Sequence, residues 1–223
     1  VLKQSGIIIN QKDENSYYVV SSQVYQPINN NVEGDYSNAA FIASLNYLEG
    51  DVKIEGLNKE SFQGDKKYIE LFEQLNNGYT TCDIKNCIDL GPILFCFASL
   101  KHGGCFTGVN RLRIKESDRI GDIKEELQKF NIEVIEEEDK VIINNKHIQK
   151  PNIILNGKND HRIVMALSIM LSKFGGEIEG IEVIAKLEIP KISLTTYILA
   201  QTSKDNLNKS VTRLCGPKVN GVG

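Results

Sequence analysis

The 223 residues suffice for one large domain, or for one domain and part of another. Hydrophobic residues make up 41% and charged residues 25%, an ordinary globular balance, and the net charge of -3 argues against a general nucleic-acid binder while leaving room for a small anion held by a few local cations. No apolar run approaches the ~18 residues that span a bilayer, and residues 1–10 lack the basic region, apolar core and cleavage site of a signal peptide, so neither nucleic acid nor membrane is an expected partner.

The chain does not begin with Met, and Val1-Leu2-Lys3-Gln4 reads like the last turn of a helix already under way, so a fragment is expected. Gly6-Ile7-Ile8-Ile9 and Tyr17-Tyr18-Val19-Val20 then read as a strand pair across a polar turn. Asn31-Val32-Glu33-Gly34 is short and extended. Residues 36–48, with Ala39, Ala40, Ile42, Ala43 and Leu45, predict a buried helix, Val52-Lys53-Ile54 a strand, and residues 65–75 an amphipathic helix carrying Tyr68, Ile69, Leu71, Phe72 and Leu75. Residues 90–100 are apolar and helical. The pattern continues with a strand at Cys105-Phe106-Thr107 and a helix over 116–130 with Ile120, Ile123, Leu127 and Phe130 on one face. A hairpin over 132–135 and 141–143 follows, then a strand over 153–155 and an apolar helix over 161–174.

Strands that alternate with helices and close on strand pairs predict an α/β fold of repeated βαβαββ units. From Leu187 onward the periodicity degrades, and the polar stretch 203–223 is expected to be disordered. The five cysteines, Cys82, Cys87, Cys96, Cys105 and Cys215, are odd in number and include no Cys-x-x-Cys pair. Reduced thiols in the cytoplasm are expected, not a disulfide framework or zinc site.

Three polar clusters could carry chemistry. In Arg111-Leu112-Arg113-Ile114-Lys115-Glu116-Ser117-Asp118-Arg119, Lys115 and Arg119 lie four apart and would share a helical face, with Glu116 near the positive end of that helix. The plain reading is a solvated first turn; the sharper one is an anion site with an acid beside it. Asn159-Asp160-His161-Arg162 stands before an apolar helix, where Asp160 could cap and Arg162 could bind an anion. Asp89, in Ile88-Asp89-Leu90-Gly91-Pro92, could be an N-cap or a catalytic carboxylate.

In combination these segments resemble the 5-enolpyruvylshikimate-3-phosphate (EPSP) synthase family. Lys115-Glu116-Ser117-Asp118-Arg119 is similar to its K-E-[ST]-D-R motif, and Asn159-Asp160-His161-Arg162, followed by Met165-Ala166, is similar to its N-D-H-R motif. Val32-Glu33-Gly34-Asp35 with Ser37, Ala39 and Ala40 resembles the V-E-G-D-x-S-x-A segment at the crossover between domains, and Gln63-Gly64-Asp65 matches a further triplet. The likeness runs from the first residue to about Lys186. It implies the enolpyruvyl transferase fold, an inside-out α/β barrel. Residues 1–33 would be the remnant of a first-half domain, 34–190 the C-terminal domain and 191–223 a divergent tail.

The resemblance also implies an activity in aromatic amino acid biosynthesis: transfer of enolpyruvyl from phosphoenolpyruvate to the 5-hydroxyl of shikimate-3-phosphate, with no metal or organic cofactor. By the same likeness Asp89 would be the base toward that hydroxyl, and Glu116 would handle the proton at the methylene carbon. Lys115, Arg119, Arg162 and Lys186 would bind the anionic substrates. Arg111 stands where some members have Asn. The family's A-K-[ST]-[FY]-P continuation is replaced by Ala185-Lys186-Leu187-Glu188-Ile189-Pro190, for which a reading-frame change or vector-derived residues would account. The family has a further N-terminal half that completes the site, so this chain alone is expected to be inactive. The alternatives are a non-catalytic remnant, a UDP-N-acetylglucosamine enolpyruvyl transferase-like enzyme or an RNA 3'-phosphate cyclase of the same fold; the acidic balance and the motif pairing speak against the last two.

Overall fold

The computed structural model describes residues 2–29, 31–145 and 147–181, together with the backbone of 184–189 and 194–199. The chain divides into two compact units, 1–33 and 34–223. The first holds an antiparallel hairpin of β1 (Ile9–Gln11) and β2 (Tyr17–Val19), with Ile9 opposite Val19. The residues before it form hydrogen-bonded turns, Gly6 N to Lys3 O at 3.1 Å and Ile7 N to Leu2 O at 3.0 Å, where a helical turn was expected.

The second unit starts with α1 (Tyr36–Ser44), extended by a 3₁₀ turn over Leu45–Tyr47, and continues through a 3₁₀ turn at Gly64–Lys67 into α2 (Tyr68–Asn77). No strand forms at 52–54. The backbone of Val52 is engaged by a side chain instead: its N–H donates to Asn46 Oδ1 at 2.6 Å and its carbonyl accepts from Asn46 Nδ2 at 2.8 Å.

Next come β3 (Thr81–Asp83), α3 (Gly91–Leu100), β4 (Gly104–Thr107), α4 (Arg119–Gln128), β5 (Glu133–Glu137) and β6 (Lys140–Asn144). They make one complete βαβαββ unit. Its sheet has the order β3-β4-β6-β5, with β3 and β4 parallel across the α3 crossover and the remaining pairs antiparallel. All ten residues of α3 are buried, as its almost wholly apolar sequence requires, and its one polar side chain, Ser99, donates to Cys96 O at 2.7 Å. It packs on α1, α2, α4 and α5 and on the sheet. Phe97 meets Phe72 at 4.5 Å and Tyr47 at 5.4 Å between ring centroids.

The chain closes with β7 (Leu155–Asn156), α5 (His161–Phe174) and β8 (Ile178–Glu179), β7 and β8 pairing in parallel. An antiparallel hairpin follows, β9 (Ile184–Ile189) with β10 (Leu194–Leu199), placing Lys186 opposite Tyr197. β10 falls within the 191–223 stretch expected to be a divergent, disordered tail, so that expectation does not hold over 194–199. Its run of Leu194-Thr195-Thr196-Tyr197-Ile198 is rich in the β-branched and aromatic residues that favour strands. Residues 200–223, Cys215 among them, lie outside the described residues, as does the Lys186 side chain. Among the described residues no helix is long and apolar enough to cross a membrane.

Two contacts fix the loop that enters α5. At Gly157 a Cβ would fall 2.2 Å from Val164 Cγ2 and 2.8 Å from Gly180 O, so only glycine lets this turn lie against α5. Glu126 of α4 is fully buried. It accepts two bonds from Lys129 Nζ (2.8 and 2.9 Å) and one from Asn156 N (2.9 Å), tying α4 to β7. Removing one member of a buried ionic pair strands the other without solvation. Glu126→Ala should cost about 3 kcal/mol in urea denaturation, and Glu137→Ala, at the exposed Lys140–Glu137 pair, less than about 1 kcal/mol. Equal losses would contradict this account of Glu126.

Candidate active site

Three chain segments meet at the N-terminal end of α3. The first is the 3₁₀ turn Ile88–Leu90, which carries Asp89. Helix α3 is capped at Leu90 with no side-chain bond, and Pro92 lies in its first turn. The carboxylate of Asp89 is therefore not a cap, the plainer of the two readings open for it in the sequence. It turns to three cations: Lys115 Nζ at 3.3 Å, Arg119 Nη1 at 2.9 Å and Arg162 Nη2 at 3.5 Å.

The second segment links a 3₁₀ turn at Asn110–Ile114 to α4. Helix α4 begins at Arg119, three residues later than the apolar periodicity suggested, because Asp118 caps it by accepting from Ile120 N (3.2 Å) and Gly121 N (3.3 Å). Lys115 and Glu116 thus precede the helix, with Lys115 extended. The expected shared helical face of Lys115 and Arg119 does not exist; the two meet at Asp89 because the loop folds back. The Arg119 side chain is 1% exposed. Its Nε donates to Asp160 Oδ2 (2.7 Å), its Nη2 to Asp160 Oδ1 (3.3 Å) and to Glu116 Oε2 (2.5 Å), and its Nη1 to Asp89. Glu116 is about half exposed, so one edge of it faces solvent.

The third segment is the turn before α5, where Lys158 and Asn159 both adopt left-handed φ values (54° and 51°). Asp160 caps α5 by accepting from Arg162 N at 2.9 Å, and it also takes the Arg119 bonds and a weaker one from Ser117 Oγ at 3.3 Å. A fully buried carboxylate is tolerated here because each oxygen has a donor. Arg162 reaches from the first turn of α5 to Asp89 with Nη2 and to Ser37 Oγ of α1 with Nη1.

The electrostatics follow from this packing. Burial pushes the Asp89 carboxyl up, but the charges of Arg162, Lys115 and Arg119 outweigh it and hold the group below the usual carboxylate value. Asp65 is the opposite case: burial, reinforced by Asp89 and Asp35, raises it despite a hydrogen bond with Ser37 and the nearby Arg162 charge. Beside Asp89 opens a cleft of about 300 Å³, whose lining includes Asp65, Lys85, Asp89, Arg111 and Lys115. Among the described residues no group of three His, Cys, Asp or Glu side chains is arranged to hold a metal ion. Cys87 also lines the cleft, but burial lifts its thiol to about 11, so it is protonated near neutrality.

The EPSP synthase (3-phosphoshikimate 1-carboxyvinyltransferase) family model matches residues 1–187. The chain belongs to the EPSP synthase family. A 3-phosphoshikimate 1-carboxyvinyltransferase from Clostridium botulinum (strain Eklund 17B / Type B) is 36% identical over 182 residues, covering 74% of this chain and 42% of that protein. One from Clostridium kluyveri is 34% identical over 205 residues, covering 83% of this chain and 48% of the relative. The chain thus spans about half the length of the curated relatives it matches. The structure of EPSP synthase from Acinetobacter baumannii shares the fold, with a TM-score of 0.64 and 23% identity over 80% of this chain and 48% of that one.

Of the residues that the family likeness singles out, Asp89, Lys115, Glu116, Arg119 and Arg162 form one connected ionic cluster, and Arg111 is exposed at the cleft rim. Asp160, seen in the sequence as a cap, is also the buried anchor of Arg119. Ser37 and Asp65 lay inside the two family segments that the sequence left without a role.

His161 stands beside this cluster, with its Nδ1 3.9 Å from Asp160 Oδ1. Burial first, and then the charge of Arg162, hold its imidazole below the ordinary 6.5. As pH falls, the unfolded chain takes the proton first. The stabilisation is present in full above about 6.5 and is lost as pH falls through the lower value of the folded state. Urea denaturation at steps below that pH should show falling stability, and His161→Gln should flatten that part of the profile. An identical profile for the two proteins would contradict the assignment.

Proposed function

We propose that the chain supplies one half of an active site that transfers enolpyruvyl from phosphoenolpyruvate to the 5-hydroxyl of shikimate-3-phosphate. The supporting observation is the meeting of two carboxylates and three cations, Asp89 and Glu116 with Lys115, Arg119 and Arg162, beside one cleft. The names of the clostridial relatives support the same reaction.

The chemistry asks for such a set. The methylene carbon of phosphoenolpyruvate takes a proton, the hydroxyl adds to C2, and phosphate then leaves as the methyl group returns a proton. Two carboxylates that exchange protons and several cations against a highly charged substrate pair meet those needs. Glu116, half exposed and fixed by Arg119, suits the carbon proton; Asp89 suits the hydroxyl proton. Lys115, Arg119, Arg162 and Lys186 would bind phosphate and carboxylate groups, with Arg111 at the rim. An anion that draws Lys115 and Arg162 toward itself weakens their hold on Asp89, whose basicity then rises as the site fills. The cytoplasm, whose reducing conditions suit the buried thiols Cys82, Cys87, Cys96 and Cys105, is the proposed compartment.

Catalysis also needs water excluded and the remaining substrate contacts supplied, which this reading assigns to the N-terminal half of the family's architecture. Phosphate release should be measured with both substrates, on the chain alone and mixed with a separately made N-terminal half of a clostridial relative. Turnover is expected only in the mixture, and Glu116→Gln should lower it by ~10²–10⁴ with a much smaller change in KM. Turnover by the chain alone would refute the half-site reading. A mixture insensitive to Glu116→Gln would remove that residue from the mechanism.

A further inference from the structure

We infer that Ser37 is a positioning residue for Arg162: it fixes one edge of the guanidinium so that the other faces Asp89. The inference rests on the reading of Arg162 as an anion-binding side chain and adds one residue to that site.

The Ser37 hydroxyl is not used by its own helix. Ser37 lies in the first turn of α1, where a serine side chain ordinarily bonds the local backbone. Here the cap is already supplied by Asp35, whose carboxylate accepts from Ser37 N at 2.8 Å and from Asn38 N at 3.3 Å. The Ser37 side chain is therefore left for distant partners. It is buried, at 4% exposure, and it accepts from Arg162 Nη1, 125 positions away in sequence. The same hydroxyl favours the ionised form of Asp65, against the burial that raises that carboxyl.

Asp65 is held in place by the residues before it. Gln63 accepts from Tyr36 N at 2.9 Å and donates to Gly34 O at 2.9 Å, so the Gln63-Gly64-Asp65 segment is fastened to the start of α1. Gly64 is required for this fit, because a Cβ there would lie 2.1 Å from Asn86 O. The two segments whose motifs had no assigned role thus meet, and what they bring together is a support for Arg162. The opposite edge, Nη2, is 3.5 Å from Asp89 Oδ2 and is the one free to turn toward a ligand. A side chain with four rotatable bonds loses much of its freedom when it grips an anion, and a pre-set guanidinium lowers that cost.

The test uses the full 223-residue chain labelled with 15N-arginine, and inorganic phosphate as the probe. In the wild type the Arg162 guanidinium nitrogens, assigned through Arg162→Lys, should give resolved signals of restricted rotation. Ser37→Ala should average those signals and weaken phosphate binding about tenfold, the equivalent of ~1.4 kcal/mol. Ser37→Thr keeps the hydroxyl and should restore both, which separates loss of the bond from general damage to α1. Unchanged Arg162 signals in Ser37→Ala, with amide spectra showing a folded chain, would overturn the inference. A wild type whose Arg162 signals are restrained and respond to Ser37→Ala, yet are silent toward phosphate, would sustain the positioning claim and count against the anion-site reading instead.

Discussion

A single buried guanidinium organises this molecule. Arg119 has almost no exposed surface, and it donates to three carboxylates that come from three separate places in the chain. A charge so placed cannot be left unpaired, because desolvation would cost several kcal/mol. The 3₁₀ turn of Asp89, the loop of Glu116 and the cap of α5 must therefore all approach the first residue of α4. That requirement turns three local motifs into one site. It also explains why Asp160 caps α5 and binds Arg119 at once: two neighbouring donors are met by one buried group.

The scaffold answers to the same constraint. Helix α3 is wholly buried and sits at the centre of unit 2, so its N-terminal end is a fixed point from which Asp89 projects. Glu126 fastens α4 to β7, the strand that leads into the turn of Asp160, and Gly157 lets that turn lie against α5. The site is then built from element ends carried by a rigid core, with Arg162 steadied from the far side by α1. Within the cluster the cations Lys115, Arg119 and Arg162 are shared among the carboxylates of Asp89, Glu116 and Asp160.

Much of this was legible in the sequence where packing decides the outcome. The apolar runs of α3 and α5 and the alternation from β4 through α4 to β6 carry much of the fold, β3 at Thr81–Asp83 going unread, and Asp160 reads as the cap it is. What was not legible depends on partners distant in sequence. Apolar periodicity put the start of α4 at Glu116, but the carboxylate of Asp118 takes the first amides and starts it at Arg119. Val52-Lys53-Ile54 has a strand composition, yet Asn46 claims its backbone. Asp89 has the local setting of a cap, and only the cations arriving from residues 115, 119 and 162 show otherwise. Ser37 could have been suspected from motif likeness, but its meeting with Arg162 spans 125 positions in the chain.

Arg119 and Asp160 form the buried pair on which the cluster is assembled. A double-mutant cycle with Arg119→Met and Asp160→Asn, followed by urea denaturation, measures their coupling directly. The account predicts that each single variant loses about 3–5 kcal/mol and that the double variant loses far less than the sum, a coupling of about 3 kcal/mol. Additive losses, with a coupling under about 0.5 kcal/mol, would contradict it.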